Sequence, residues 1–131
     1  MSNQTIEPVI ENKIEISQIA KESPDTVKEL VIQYYKEDPI LAEVAFCEST
    51  FTHYLSDGSV IRGRVDNRDV GVMQINEYYH KDTATRLGYN LEDLEDNLAY
   101  AKNLYDRQGV QPWSASSKCW SKSMHLASAT K

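Results

Sequence analysis

Apolar residues recur at helical spacing in two successive runs near the start of the chain. The first run follows Ser23-Pro24-Asp25, a typical helix start in which Ser23 caps the first turn and Pro24 takes the first helical position. Its apolar face consists of Val27, Leu30, Val31 and Tyr34. The second run begins at Pro39 and is apolar on most sides as far as Glu48, which predicts a core helix. Its last turn would bring Glu48 from the interior to the edge of a cleft.

Between residues 56 and 75 the pattern changes to short β-prone segments separated by turns. Ser56-Asp57-Gly58 predicts a turn, residues 60–65 and 70–73 are β-prone, and Asp66-Asn67-Arg68 interrupts them. This pattern predicts a small antiparallel hairpin or an irregular β-wing, too short to fold alone.

Helical periodicity returns after the wing. One helix is predicted over residues 78–87, ending at Gly88, and the next runs from an Asp93 cap to Gly109. The buried face of this second helix consists of Leu94, Leu98, Ala101 and Tyr105. Pro112 opens a last short helix that carries Trp113, Cys119 and Trp120. We therefore expect an α+β domain over residues 23–121, with an N-terminal tail over 1–22 (partly disordered or a short helix) and a C-terminal tail over 122–131.

Composition narrows the functional class. The chain has 131 residues, 40% hydrophobic and 26% charged, which suits one globular domain. The net charge of −6 argues against nucleic acid as a partner, because phosphate binding needs clustered cations. Arg62, Arg64 and Arg68 do gather locally, either as a solvated hairpin or as a clamp for an anionic substrate. No apolar run reaches the ~18 residues that a membrane span requires, and no phosphate-loop, zinc-protease or hydrolase-elbow motif occurs.

The compartment is less constrained by the sequence. The first residues lack a basic start followed by an apolar stretch, so we expect a leader removed beforehand, release by lysis, or another export route. Cys47 and Cys119 lie 72 positions apart and match no metal-binding spacing. They are either free buried thiols or a disulfide, and a disulfide would imply an oxidising compartment.

Two segments carry the candidate chemistry. Glu48 ends the apolar run in Glu48-Ser49-Thr50-Phe51, and the polar stretch Asp69-Val70-Gly71-Val72-Met73-Gln74-Ile75-Asn76 follows about twenty residues later. Cleavage of a glycosidic bond needs a carboxylic acid kept protonated by apolar surroundings, and a polar cleft wall that carries a carboxylate or amides. Glu48 suits the first role, and Asp69, Gln74 and Asn76 suit the second.

These motifs, followed by Gln108-Gly109-Val110-Gln111-Pro112-Trp113, occur in the order found in the lysozyme superfamily. Over residues 24 to 120 the chain resembles bacterial transglycosylase (SLT-type) domains and, more distantly, goose-type and chicken-type lysozymes. The resemblance implies a helical lobe and a β-wing flanking a cleft that binds alternating N-acetylglucosamine and N-acetylmuramic acid. It implies no cofactor and no metal.

The resemblance also implies roles for individual residues. Glu48 matches the catalytic acid, and Asp69 stands where chicken-type lysozymes carry the second carboxylate. Asp66 is the rival, because goose-type enzymes place a carboxylate farther upstream. The implied sugar-binding residues are Ser49, Gln74, Asn76, Tyr79, His80 and Trp113, of which Trp113 resembles the tryptophan beside the acid.

Both His80 and His53 are interpreted as polar surface residues rather than catalytic bases, and Asn97 either reaches the cleft or only occupies a helix's first turn.

The leading interpretation is a monomeric, secreted or cell-envelope muramidase that acts on peptidoglycan glycan strands. The alternative is a lytic transglycosylase, since SLT-type enzymes use the substrate's acetamido group and manage without a second carboxylate. A further alternative is a glycan-binding module that has lost catalysis, against which the retained Glu48 argues.

Overall fold

The computed structural model describes residues 24–123, which contain five α-helices, one 3-10 helix and one two-stranded sheet. In chain order these are α1 (Pro24–Tyr34), α2 (Pro39–Ser49), β1 (Asp69–Val70), β2 (Ile75–Asn76), α3 (Glu77–Arg86), α4 (Leu94–Gln108), the 3-10 helix (Gln111–Ser116) and α5 (Ser117–Ser123). The α+β class is confirmed. The predicted N-terminal tail lies outside the described residues, as does the C-terminal tail beyond Ser123.

The first two helices follow the sequence pattern with one correction. Helix α1 begins at Pro24, and Val27 and Val31 are buried as predicted. Tyr34, however, is 40% exposed, and the buried tyrosine is Tyr35. Val27, Val31 and Tyr35 recur every four residues, so the buried face follows the i, i+4 row rather than stepping to i+3. Tyr35 is the residue directly after α1, and its hydroxyl donates to the Leu98 carbonyl oxygen at 2.6 Å, which ties the end of α1 to α4.

Helix α2 is a core helix, as predicted. Its buried positions are Leu41, Ala42, Glu43, Val44, Ala45 and Ser49. Two consecutive residues in left-handed backbone conformations, Thr50 (φ 53°) and Phe51 (φ 58°), end the helix directly after the Glu48 turn. The end of the helix therefore fixes the direction in which Glu48 leaves the core.

The β-wing is irregular rather than a continuous hairpin. Strands β1 and β2 pair antiparallel, with Asp69 opposite Asn76 and Val70 opposite Ile75. The β-prone segment 60–65 forms no strand and makes only isolated bridges, Tyr54 with Val60 and Arg62 with Val70. This segment does not continue as a strand past Gly63, whose N–H donates to the Asp69 carbonyl oxygen. The chain then turns back through residues 66–68.

The C-terminal half packs against α2. Asp93 caps α4 as predicted, accepting a hydrogen bond from the Asp96 N–H. Leu94, Leu98 and Ala101 are buried, whereas Tyr105 is half-buried against the core. Cys47 and Cys119 form a disulfide that joins α2 to α5, which decides between the two alternatives left by the sequence. Within residues 24–123 no helix has the length and apolar character needed to cross a bilayer.

Candidate active site

Glu48 lies half-buried in the last turn of α2, on the wall of an open groove. Burial raises the pKa of its carboxyl group above the ordinary glutamate value. A hydrogen bond from the Ser116 hydroxyl to Glu48 Oε2, at 2.7 Å, lowers that pKa, and the charge of Asp69 raises it. Desolvation is the largest of these effects, so the carboxyl group retains its proton to higher pH than a solvated glutamate does.

Ser116 is a residue that the sequence motifs did not indicate. Its hydroxyl also lies 3.1 Å from the Trp113 carbonyl oxygen. The hydroxyl has one proton, so it donates either to Glu48 or to Trp113 at a given moment. When it donates to Trp113, its oxygen can accept the proton of a neutral Glu48 carboxyl group. The Ser116 hydroxyl can thus hydrogen-bond to the Glu48 carboxyl group in both of its protonation states.

Across the groove, Asp69 and Asp66 are held by a shared amide. The Asn76 Nδ2 group donates to Asp69 Oδ1 at 2.9 Å and to Asp66 Oδ2 at 3.0 Å. Asp66 also binds the Arg68 guanidinium, which holds the pKa of its carboxyl group at about 2. Asp69 borders both halves of the groove together with Glu48, whereas Asp66 lines one half only. The geometry therefore favours Asp69 over Asp66 as the carboxylate that opposes the acid.

Gln74 and Asn76 belong to the predicted polar cleft wall, but they do not project together from one extended strand. Gln74 has a left-handed backbone (φ 52°), and its Nε2 group donates to the carbonyl oxygens of Asp69 and Gly71. Asn76 Oδ1 caps α3 by accepting from the Tyr78 N–H. Both side chains line the groove, but their amides already stabilise the wing. Their sugar contacts stay predictions.

The groove consists of two halves that meet at Glu48, Asp69 and Gln74. The first, which we call the aromatic half, has a volume of about 390 Å³ and is lined further by Asp66, Asn76, Tyr79, His80 and Trp113 among others. The second, which we call the basic half, has the same volume of about 390 Å³. It is lined further by Thr50, Ile61, Arg62, Gly63, Arg64 and Val65 among others. A groove open on both sides of the acid suits an extended polymer rather than a small enclosed ligand.

The other predicted sugar-binding residues lie in different environments. Tyr79 is 72% exposed on the rim, and His80 is half-buried with its Nδ1 3.0 Å from the Tyr100 hydroxyl. Trp113 is buried and donates from Nε1 to the Met73 carbonyl oxygen. The Ser49 hydroxyl is also buried and lies 2.8 Å from the Val72 carbonyl oxygen, joining α2 to the wing. A role of Ser49 in substrate binding stays a prediction.

Two buried polar side chains, not recognised from the sequence, hold the loop between β1 and β2. The interpretation of His53 as a surface residue is wrong: it is fully buried, and its Nδ1 accepts from the Val72 N–H while Nε2 lies 2.8 Å from the Glu92 carbonyl oxygen. Burial lowers its pKa to about 4, so it is neutral and cannot serve as a cation here. These contacts require the tautomer with the proton on Nε2.

Asn97 is the second of these residues. It does occupy the first turn of α4, but it is fully buried, with Oδ1 accepting from the Met73 N–H and Nδ2 donating to the Val70 and Leu91 carbonyl oxygens. A Cβ atom on Gly71 would lie 2.4 Å from Asn97 Nδ2, which explains the glycine of the motif. This loop is therefore built around a polar core, and it carries the backbone atoms to which Ser49 and Trp113 bind.

No protein-family model, curated protein or solved structure matches the chain. Among residues 24–123, no group of three or more His, Cys, Asp or Glu side chains is arranged to hold a metal ion.

Proposed function

We propose that this protein is a peptidoglycan-cleaving glycosidase of lysozyme type, with Glu48 as its general acid and base. The observation that carries this proposal is a carboxyl group whose pKa is raised by burial, lying where the two halves of an open groove meet. A proton donor for a glycosidic oxygen needs this combination of retained proton and access to a polymer. The substrate would be the β-1,4 bond between N-acetylmuramic acid and N-acetylglucosamine.

In this reaction the sugar ring before the scissile bond would lie between Glu48 and Asp69. Glu48 gives its proton to the leaving oxygen as the bond to the anomeric carbon breaks, and positive charge develops on that ring. Asp69, oriented by the Asn76 amide, stabilises this charge or bonds to the anomeric carbon. Ionised Glu48 then takes a proton from water as the water oxygen bonds to the anomeric carbon, and any bond between that carbon and Asp69 breaks in the same step. The Ser116 hydroxyl would donate to Glu48 in this ionised state.

A lytic transglycosylase is the second candidate, since the Asn76 amide already occupies one oxygen of the Asp69 carboxylate. In that reaction the substrate's acetamido group attacks the anomeric carbon while Glu48 protonates the leaving oxygen. The muramic acid 6-hydroxyl then displaces the acetamido oxygen, gives its proton to Glu48 and closes a 1,6-anhydro ring. The engaged position of Asp69, which already accepts a hydrogen bond from Asn76, is compatible with a carboxylate that only stabilises charge. Hydrolysis remains our preferred reaction because Asp69 borders both halves of the groove together with Glu48.

The direct test is digestion of purified cell walls followed by mass spectrometry of the products. Reducing muramic acid ends are expected, and 1,6-anhydro ends alone would refute the hydrolase version. Glu48→Gln should abolish turnover and leave the fold intact, whereas Glu29→Gln, the same change at an exposed position of α1, should have no effect. If wild-type protein and Glu48→Gln both bind glycan and neither cleaves it, the protein is a non-catalytic glycan-binding module instead.

The two aspartates provide a matched comparison. Asp69→Asn should lower turnover by a larger factor than Asp66→Asn, because Asp69 opposes the acid while Asp66 is occupied by Arg68. Equal losses, or a larger loss at Asp66, would assign the second role to the upstream carboxylate.

A further inference from the structure

The two halves of the groove differ in chemistry. The aromatic half presents flat rings and the Asp66 carboxylate, whereas the basic half is bordered by the segment Arg62-Gly63-Arg64-Val65. Val65 is fully exposed, and Arg64 is exposed beside it. Because the halves meet at Glu48, the cationic side chains that border the groove within residues 24–123 would all lie on one side of the scissile bond of a bound glycan.

Only one of the three clustered arginines in this region is available to a ligand. Arg62 binds the carboxylates of Glu77 and Glu92, each at 2.9 Å. Arg68 binds Asp66, also at 2.9 Å. Arg64 forms no ion pair with any residue in the range 24–123, although it borders the groove. Its charge is therefore not neutralised by the part of the chain that the structure describes.

The backbone next to Arg64 is fixed against the candidate site. The Gly63 N–H donates to the Asp69 carbonyl oxygen at 3.0 Å. A Cβ atom on Gly63 would lie 2.4 Å from the Asp66 carbonyl oxygen and 3.0 Å from Gln74 Oε1, so only glycine permits this close approach. Arg64 therefore directly follows a backbone group that is hydrogen-bonded to Asp69, and it borders the same half of the groove as Asp69.

We propose that Arg64 determines substrate specificity by binding a carboxylate carried by the muramic acid residue on the basic side of the scissile bond. This inference rests on the proposed function. The carboxylate belongs either to the free lactyl ether of a peptide-stripped strand or to the stem peptide of an intact strand. A guanidinium binds either group through two parallel charge-assisted hydrogen bonds. Because the chain carries a net charge of −6, an anionic glycan gains no general attraction, and a local cation has a correspondingly larger effect.

Binding in the inactive Glu48→Gln background provides the test, with calorimetry on three soluble hexasaccharide probes: a peptide-bearing muramyl fragment, a peptide-stripped muramyl fragment and neutral chitohexaose. Adding Arg64→Ala should weaken binding of at least one muramyl fragment about tenfold or more and leave chitohexaose binding unchanged. The fragment that loses affinity identifies the lactyl or the peptide carboxylate. Arg64→Lys, which keeps the charge but not the paired donors, should recover part of the loss.

Arg86→Ala is the matched control, because it changes the net charge equally and Arg86 is exposed in the last turn of α3. Within the described residues the Arg86 side chain donates a hydrogen bond to the Thr83 hydroxyl and forms no ion pair. Similar losses for Arg64→Ala and Arg86→Ala would overturn the proposal in favour of long-range charge alone. Equal losses on muramyl and chitin probes would overturn it in favour of a structural role, which unfolding midpoints would also reveal.

The same measurements separate this proposal from the proposed function. If wild-type protein cleaves no glycan but the Arg64-dependent difference in binding is present, glycosidase activity is refuted and carboxylate recognition stands. If wild-type protein cleaves cell walls and Arg64→Ala has the same kcat and KM on them, glycosidase activity stands and the role of Arg64 is refuted.

Discussion

Replacing Gly71 by alanine should destabilise the protein far more than the same replacement at Gly88. Both glycines have left-handed backbones, with φ of 79° and 89°. The strain of placing an L-residue there costs about 1–2 kcal/mol, offset by about 0.4–1 kcal/mol from the reduced freedom of the unfolded chain. The net destabilisation from these two effects is roughly 1 kcal/mol at either glycine. It is the whole expected effect at Gly88, where a Cβ atom would meet nothing within 4 Å.

At Gly71 the new methyl group would collide with the polar core of the loop. It would lie 2.4 Å from Asn97 Nδ2 and 2.7 Å from His53 Cε1. Overpacking of this kind costs about 1–3 kcal/mol. Displacing the Asn97 amide would also leave a buried carbonyl oxygen without its donor, at about 1–3 kcal/mol. The expected total is therefore about 3–7 kcal/mol, a large share of the roughly 5–15 kcal/mol that stabilises a typical domain.

Urea unfolding followed by tryptophan fluorescence is a suitable assay, because Trp113 is buried and binds the carbonyl oxygen of Met73 in this loop. We expect the unfolding midpoint to shift strongly for Gly71→Ala and slightly for Gly88→Ala, with similar slopes. Equal shifts would show that backbone strain alone distinguishes glycine at these positions. Asn97 and His53 would then not be the groups that exclude a side chain at position 71.

Three further outcomes are expected. Ser116→Ala removes the hydrogen bond that lowers the pKa of Glu48, so the alkaline limb of the kcat/KM profile, where the acid loses its proton, should move to higher pH; an unmoved limb would contradict this. Replacing both Cys47 and Cys119 by alanine should lower the free energy of unfolding by about 4 kcal/mol relative to oxidised wild-type protein. Urea unfolding measures this loss, and reduced wild-type protein is the control that should unfold like the variant. Because burial lowers the pKa of His53 from 6.5 to about 4, the unfolded chain takes up a proton on His53 at a higher pH than the folded chain does. The free energy of unfolding should therefore fall by up to about 3 kcal/mol as the pH drops from about 6.5 to about 4, and His53→Gln should lack this dependence.

Much of the fold was predictable because its signals are local. The Asp93 cap, the glycine that follows α3 and the apolar faces of α2 and α4 depend on residues a few positions apart. The error at Tyr34 arose because adjacent tyrosines satisfy neighbouring helical spacings equally well. Periodicity cannot decide between i+3 and i+4 at the end of a short helix.

The candidate site was less predictable because its contacts join distant parts of the chain. Ser116 lies 68 residues from Glu48, and the contact depends on the packing of the 3-10 helix against α2. His53 and Asn97 are polar residues that satisfy backbone groups 19 to 27 positions away in the wing. A polar residue is expected to be exposed by default, and only the tertiary structure reveals that its hydrogen-bond partners are buried backbone groups.

Within residues 24–123, the non-glycine residues with positive φ are Thr50, Phe51 and Gln74. They cluster beside the groove, with Thr50 and Gln74 on its walls and Phe51 following Thr50. Anyone engineering heat resistance into this protein would find glycine at position 50 an attractive replacement, whereas glycine at position 74 would lose the hydrogen bonds of the Gln74 amide. The gain at position 50 would free the backbone that sets the direction of Glu48, so the safer places for improvement are the helical surfaces remote from these corners.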